Sequence, residues 1–423
     1  MNDNDRSILS ITMLGHGMVH MYELAIPIFI TVWIADLGVG SATLGLAVSV
    51  GYALYGIGSL PSGVVTDAYG SKRLLVVCLL GMGASFGLLA FVDGLLGVTL
   101  ALAIWGLAAS IYHPAGLRLI STGVTERGAG FGYHGIAGNV GIALGPLVAA
   151  TLLIVFDWRV VAGAMAVPAF AVALYTTYVS VDELAAIESP SPAEATDGGS
   201  DAPPASDPDE SSATMPSLRN VVGDTRLIFA GGFLIAFPML ILEGFFYRGV
   251  LTFLPDMLAS YDSLETMTIA GQSVNPSGYV FVGLLVVGMA GQYVGGKVSD
   301  MMPPEKAAVG AFLSMALITA LFVPAANTGL FALLLVTGLL GFVLFGEQPL
   351  LQAIVADYSG SDVRGLSYGY MFVGVFGVGA LGAAFSGAVL AYTTQQVLFL
   401  LLALVPFSAA LIATTLWRSN RGE

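Results

Sequence analysis

Residues 63–73 read Gly63-Val64-Val65-Thr66-Asp67-Ala68-Tyr69-Gly70-Ser71-Lys72-Arg73, and 233 residues later Gly296-Lys297-Val298-Ser299-Asp300 repeats the frame of glycine, valine, hydroxyl and aspartate. A second pair follows in the same order, Arg127-Gly128-x-x-x-Gly132-Tyr133 and Arg364-Gly365-x-x-x-Gly369-Tyr370, at a spacing of 237. One short match arises easily by chance. Two in the same order at nearly one spacing point to a chain built from two parallel copies, which is how one architecture of membrane transporters is assembled.

The surroundings of each copy agree. Of the 423 residues, 56% are hydrophobic and only 10% charged, against roughly 25% charged in an ordinary soluble domain. The mean hydropathy is +0.86. A membrane helix needs about 20 mostly apolar residues, and twelve segments qualify, from 8–34 to 396–417. The expected fold is an all-α membrane protein with twelve transmembrane helices in two six-helix pseudo-repeats. The first segment carries polar residues and no small-residue cleavage site, so it reads as a retained helix.

Residues 182–218 stand apart. They are rich in Pro, Ser and Ala, with nine acids and no Lys or Arg through residue 216. Such a segment cannot bury a core and reads as an acidic disordered linker between an N-terminal bundle, 1–181, and a C-terminal bundle, 219–423. Its acidity suits a salt-rich, halophilic cytoplasm, where screening is strong; an ordinary acidic linker is the plainer reading. The net charge of −14 excludes nucleic-acid partners, which need a basic face. One cysteine, Cys78, excludes a disulfide scaffold. Lys72, Arg73, Arg127, Arg219, Arg226, Lys306 and Arg364 fall in loops on one side and Arg159 on the other. By the positive-inside rule both termini are then cytoplasmic, in the cell membrane.

With these residues in view, the chain resembles the major facilitator superfamily. Gly63, Asp67, Gly70, Lys72 and Arg73 are similar to that family's loop signature after its second helix. The resemblance implies a cytoplasmic gating loop, with Asp300 in the weaker second copy. Gly132, Gly141, Gly145 and Pro146 resemble the helix-5 signature of its antiporters, with Ala149-Ala150 where two further glycines stand in the family. Leu102, four residues before Gly106, occupies the place of a family arginine. Leu14-Gly15-His16, Ile111-Tyr112-His113-Pro114-Ala115-Gly116 and His134-Gly135-Ile136-Ala137-Gly138-Asn139 resemble the fosmidomycin-resistance type of exporter.

Ionisable groups inside a membrane cost at least about 2.5–3.5 kcal/mol at a helix centre, so each is a candidate. His16, His20 and Glu23 are spaced by four and three residues and share one helix face. A histidine–carboxylate pair exchanges protons near neutral pH. His16 and His20 also have a metal-binding spacing, but no third ligand is fixed by the sequence and no metal site is expected. His113, beside the helix-breaking Pro114, and His134 and Asn139 are further candidates for substrate or ion contact; Arg118 is an arginine near a helix end. In the second half, Glu243 and Arg248 are five apart. Arg248 either binds an anionic substrate or pairs with Glu23 across the bundle. Glu347-Gln348-Pro349 stands at the position of Tyr112-His113-Pro114, and Glu347 is the leading candidate for a coupling carboxylate.

The functional reading is secondary active transport by alternating access. Export of a small organic compound, a drug or phosphonate-like molecule, by proton or cation antiport comes first. Proton- or sodium-coupled uptake of a small organic anion is the rival, and a non-transporting membrane sensor the alternative of another class. The expected partners are a small-molecule substrate, a coupling ion and the bilayer, with the chain monomeric and no cofactor. There is no phosphate-binding Gly-x-x-x-x-Gly-Lys-Ser/Thr. Two Gly-x-Ser-x-Gly matches, at Ser85 and Ser367, lie in apolar runs without the strand-to-helix elbow a hydrolase needs, so no enzyme is expected.

Overall fold

The computed structural model describes residues 1–188, 218–269, 271–358 and 364–420. The segment that composition assigns to the linker therefore lies, for 189–217, outside the described residues. Among the described residues, twelve helices are long and apolar enough to cross a membrane. In the first half they are α1 (Asp3–Asp36), α2 (Ser41–Tyr69), α3 (Ser71–Leu89), α4 (Gly94–Ala109 continued by Tyr112–Gly123), α5 (Arg127–Leu152) and α6 (Trp158–Tyr178). In the second half they are α7 (Phe233–Leu251 continued by Leu254–Ala259), α8 (Ser277–Met301), α9 (Pro304–Ala326), α10 (Leu330–Gly346 continued by Gln348–Asp357), α11 (Arg364–Phe372 and Leu381–Tyr392) and α12 (Gln395–Asn420). A polar helix, Leu218–Ile228, precedes α7, and a hairpin pairing Met267–Ile269 with Gln272–Val274 precedes α8.

A helix satisfies its own backbone, which lipid requires. Hydroxyls inside the spans are tied back one turn: Thr12 to Ile8 O, Ser59 to Tyr55 O, Thr66 to Ser62 O and Thr319 to Met315 O. Large apolar side chains such as Leu46, Val77, Leu317 and Leu404 lie exposed on the outer faces, as a lipid-facing surface demands. The breaks are placed by proline, which lacks the N–H that would close the helical turn. Pro114 follows the break of α4 at Ser110 and Ile111, and Pro349 follows that of α10 at Glu347. In α11 a π-helical turn, Val373–Val378, joins the two α-helical segments.

Glycine sets the closest helix pairs. A Cβ at Gly141 or Gly145 would strike the backbone of Gly17 or Met21 on α1. The halves meet along α2 and α11, where Gly45 approaches Ala383 and Gly387, Gly56 approaches Gly377, and Leu60 reaches Gly369. Ser41 and Ser49 donate across this seam to Gly387 O (3.0 Å) and Ala380 O (2.9 Å). Ser41 begins α2 at the end away from the termini, so the seam runs inward from that far end.

At the terminal end, Asp5 accepts from the Thr125 amide and hydroxyl at 3.0 and 2.7 Å. Glu183 accepts from the Ser71 and Lys72 amides at 2.8 and 2.9 Å. It thereby caps α3, whose N-terminus follows Gly70 at φ +86°. Composition groups Glu183 with the linker; the structure docks it onto the first bundle, because orphan amides at a helix start attract a carboxylate.

Candidate functional site

The chain has four histidines, and the fold brings all of them together. α1 supplies His16 and His20, the second segment of α4 supplies His113, and α5 supplies His134. Rings of His16 and His134 stack at 3.8 Å between centroids, and Tyr112 lies parallel to both, at 5.4 Å from His16 and 5.9 Å from His134. Gly138 makes this possible, since a Cβ there would collide with the His16 ring.

The hydrogen bonds fix which nitrogens carry protons. His16 Nδ1 donates to His134 O at 2.8 Å. His20 Nδ1 donates to Glu23 Oε2 at 2.7 Å. Tyr112 gives its hydroxyl proton to Thr12 O, so His134 Nε2 donates to the Tyr112 oxygen at 3.1 Å. Tyr55 OH and His113 Nδ1 lie 3.1 Å apart. His20 Nε2 faces His16 Nε2 at 3.0 Å. His16, His113 and His134 are buried, while the His20 side chain keeps 14% of its exposure.

Glu23 joins this cluster to the other half. Its second oxygen, Oε1, accepts from Arg248 on α7. Both side chains are almost completely buried, at 1% and 3% exposure. The guanidinium lies 3.8 Å above the Tyr52 ring, a cation–π contact that further holds it. Phe376, in the π-turn of α11, stacks on Tyr55 at 4.8 Å and borders both His113 and Arg248.

The second half places two more carboxylates beside each other. Glu243 and Glu347 are both buried and lie close enough to influence each other electrostatically. Neither Glu347 oxygen meets a donor among the described residues. Two neighbouring carboxylates away from water cannot both ionise cheaply, so at least one of them carries a proton. Gln348 is half-buried at the start of the second segment of α10, and Asn139 is half-buried on α5, one residue past the His16 contact.

The loop candidates sit apart from this centre. Gly63 lies near Pro114, Gly70 near Glu183, and Lys72 donates to Thr177 O at 3.2 Å, all within the first bundle. Arg73 is exposed, Asp300 is exposed at the end of α8, and the Asp67 side chain lies outside the described residues. Arg118 reaches Ser71 Oγ at 3.2 Å and Glu183 at 3.5 Å, a contact of the terminal end. Among the helix-5 residues, Gly141 and Gly145 pack against α1, Pro146 lies inside the unbroken helix, and Gly132 faces open space. Ser85 spends its hydroxyl on Ala101 O at 2.6 Å.

Tyr52, Tyr55 and Phe376 are site residues that sequence reasoning passed over. Tyr52 and Tyr55, three residues apart on α2, carried a signal: a tyrosine pair on one face of an apolar helix needs polar partners. Phe376 carried none.

A sequence profile described as the Major Facilitator Superfamily matches residues 10–379. The fosmidomycin resistance protein of Escherichia coli (strain K12) is 25% identical over 361 residues, covering 82% of this chain and 74% of that protein. The puromycin resistance protein pur8 of Streptomyces alboniger is 34% identical over 131 residues, 29% of this chain, and the match spans only 25% of that relative's length. Among solved structures, a bacterial homologue of the human lysosomal transporter Spinster, inward-facing and occupied, superposes with a TM-score of 0.71 at 13% identity, covering 99% of this chain and 98% of that one.

Proposed function

The chain belongs to the major facilitator superfamily and is a secondary transporter rather than an enzyme, and on that footing we propose that it exports a small organic compound in exchange for protons. The observation that carries this reading is the buried link His20–Glu23–Arg248, which ties the first bundle to the second at the level of the breaks in α4 and α10. A transporter that must alternate needs a joint between its halves that one ion can loosen.

A proton held on one of the neighbouring carboxylates Glu243 and Glu347 is the one we assign to coupling. Arg248 is near enough to Glu243 to feel its charge. Loss of that proton leaves a second buried anion, which draws the guanidinium from Glu23 and slackens the joint. Each proton crossing the membrane supplies about 1.4 kcal/mol per pH unit and about 2.3 kcal/mol per 100 mV. The resistance activities named for two relatives favour export of a drug-like or phosphonate-like compound. We place the terminal end in the cytoplasm, since Lys72, Arg127 and Lys306 begin helices there and Arg159 begins one at the far end. The chain would then be a monomer in the cell membrane with the acidic 182–218 segment in a salt-rich cytoplasm. Asp67 with Gly70 and Arg73 remains the proposed gating loop, and Asp67→Asn is expected to abolish flux in a chain that still folds.

The test is a growth panel with the gene deleted and overexpressed, across toxic compounds that include fosmidomycin, with and without an uncoupler. Resistance that rises with expression and vanishes with the uncoupler supports proton-driven export. Sensitivity that rises with expression reverses the direction to uptake.

A further inference from the structure

We propose that His16, His20 and His113 form a binding site for a divalent transition-metal cation such as zinc. One ligand nitrogen from each ring lies within 4.8 Å of the others. The third ligand, which helix spacing on α1 does not supply, comes from α4, about a hundred residues away in the chain.

The argument rests on where the outer nitrogens are held. A metal-bound histidine typically gives its remaining N–H to a carboxylate, a backbone carbonyl or a comparable acceptor, which orients the ring and fixes its tautomer. Here His20 gives Nδ1–H to Glu23, and His16 gives Nδ1–H to the His134 carbonyl. His113 Nδ1 is held by the Tyr55 hydroxyl. The carbonyl and the carboxylate can only accept, so both Nδ1 atoms carry hydrogen. In the neutral rings the two Nε2 atoms are then bare lone pairs, 3.0 Å apart. Two lone pairs at that distance repel unless an electrophile lies beside them. A proton on His20 would satisfy two rings; a cation satisfies three.

The size fits. Zinc–imidazole bonds of about 2.0–2.1 Å in a tetrahedral site place nitrogens about 3.3 Å apart. The His16–His20 pair needs a small spread and His113 a ring movement of at most about 1.5 Å from the 4.8 Å limit. Three histidines leave a fourth position for water or a donor from the cargo. Glu23, already paired with Arg248, accepts the His20 Nδ1–H and so orients that ring. The site stands whatever the cargo or the direction of transport, so it is tested apart from them.

The experiment uses the full chain without a polyhistidine tag, stripped with a chelator and titrated with cobalt(II) and then zinc. One cobalt per chain with the visible ligand-field bands of a four-coordinate site, displaced by zinc, is expected. His20→Ala and His113→Ala should each weaken binding at least tenfold, while Phe331→Ala, exposed on the second bundle, should bind as the wild type does. The wild-type spectrum needs no variant to fold. Absence of cobalt uptake by the wild-type chain, the result if the cluster holds only a proton, overturns the proposal. So does uptake that survives both histidine substitutions unchanged.

Discussion

The two bundles treat their buried polar groups differently. In the first, the only buried side-chain nitrogen or oxygen atoms without partners among the described residues are the indole nitrogens of Trp33 and Trp105. In the second, Arg248 Nε, Thr252, Tyr261, Gln292, Thr337, Ser386 and both oxygens of Glu347 lack partners. Buried polar atoms normally find partners, and an orphan calls for an explanation. The first bundle ties most of its buried polar groups, with histidines, tyrosines and Glu23 each held by a partner and the facing Nε2 atoms of His16 and His20 left to a shared proton or cation. The second leaves more of its buried polar atoms open, Glu347 among them.

The contrast can be broken most severely at the joint. Arg248→Met leaves Glu23 buried beside His20 without its second partner, and breaking a buried pair from one side costs about 3–5 kcal/mol. Thermal unfolding in detergent should fall accordingly, and flux should vanish. Combining it with Glu23→Gln should return most of the stability and none of the flux. Equal instability in the single and double variants would mean that the pair is not what holds the halves.

Glycine packing in the first bundle comes next. Gly141→Val forces a side chain into the Gly17 backbone, and overpacking of this kind costs about 1–3 kcal/mol. The same substitution at Gly132, which faces open space, should leave unfolding within about 0.5 kcal/mol of wild type. Comparable losses at both positions would remove the assignment of Gly141 to packing.

Glu183→Ala uncaps α3 and should cost about 1–2 kcal/mol with flux retained, which marks the terminal-end contacts as structural. Lost flux at normal stability would move Glu183 into the gate. The smallest change is expected at Glu347→Gln. An amide can donate to Glu243 without a shared proton, so stability should hold within about 1 kcal/mol. Proton-driven flux should still drop at least tenfold while substrate exchange continues. Full coupling in that variant would end the role assigned to the carboxylate pair.

These outcomes bear on how readable the protein is from its residues alone. The apolar runs, the repeat of Gly63–Asp67 in Gly296–Asp300 and the breaks before Pro114 and Pro349 are local. They follow from hydropathy, spacing and the missing proline N–H, and the twelve helices lie close to where they place them. Ionisable residues in apolar segments are also local signals, because lipid makes each of them costly wherever it points.

What stayed hidden depends on helices meeting. That His113 completes a triad with His16 and His20, that Glu243 neighbours Glu347, and which of the two readings of Arg248 holds, anion binding or the pair with Glu23 225 residues away, are settled by helix rotation and tilt. Those angles are set by close approaches such as Gly141 on Gly17 and Gly56 on Gly377. The sequence by itself determined how many helices there are, where they break and which of their residues cannot face lipid. Only the tertiary structure decided which of those residues face each other, because a periodic pattern defines a face and leaves its partner to the packing of the whole bundle.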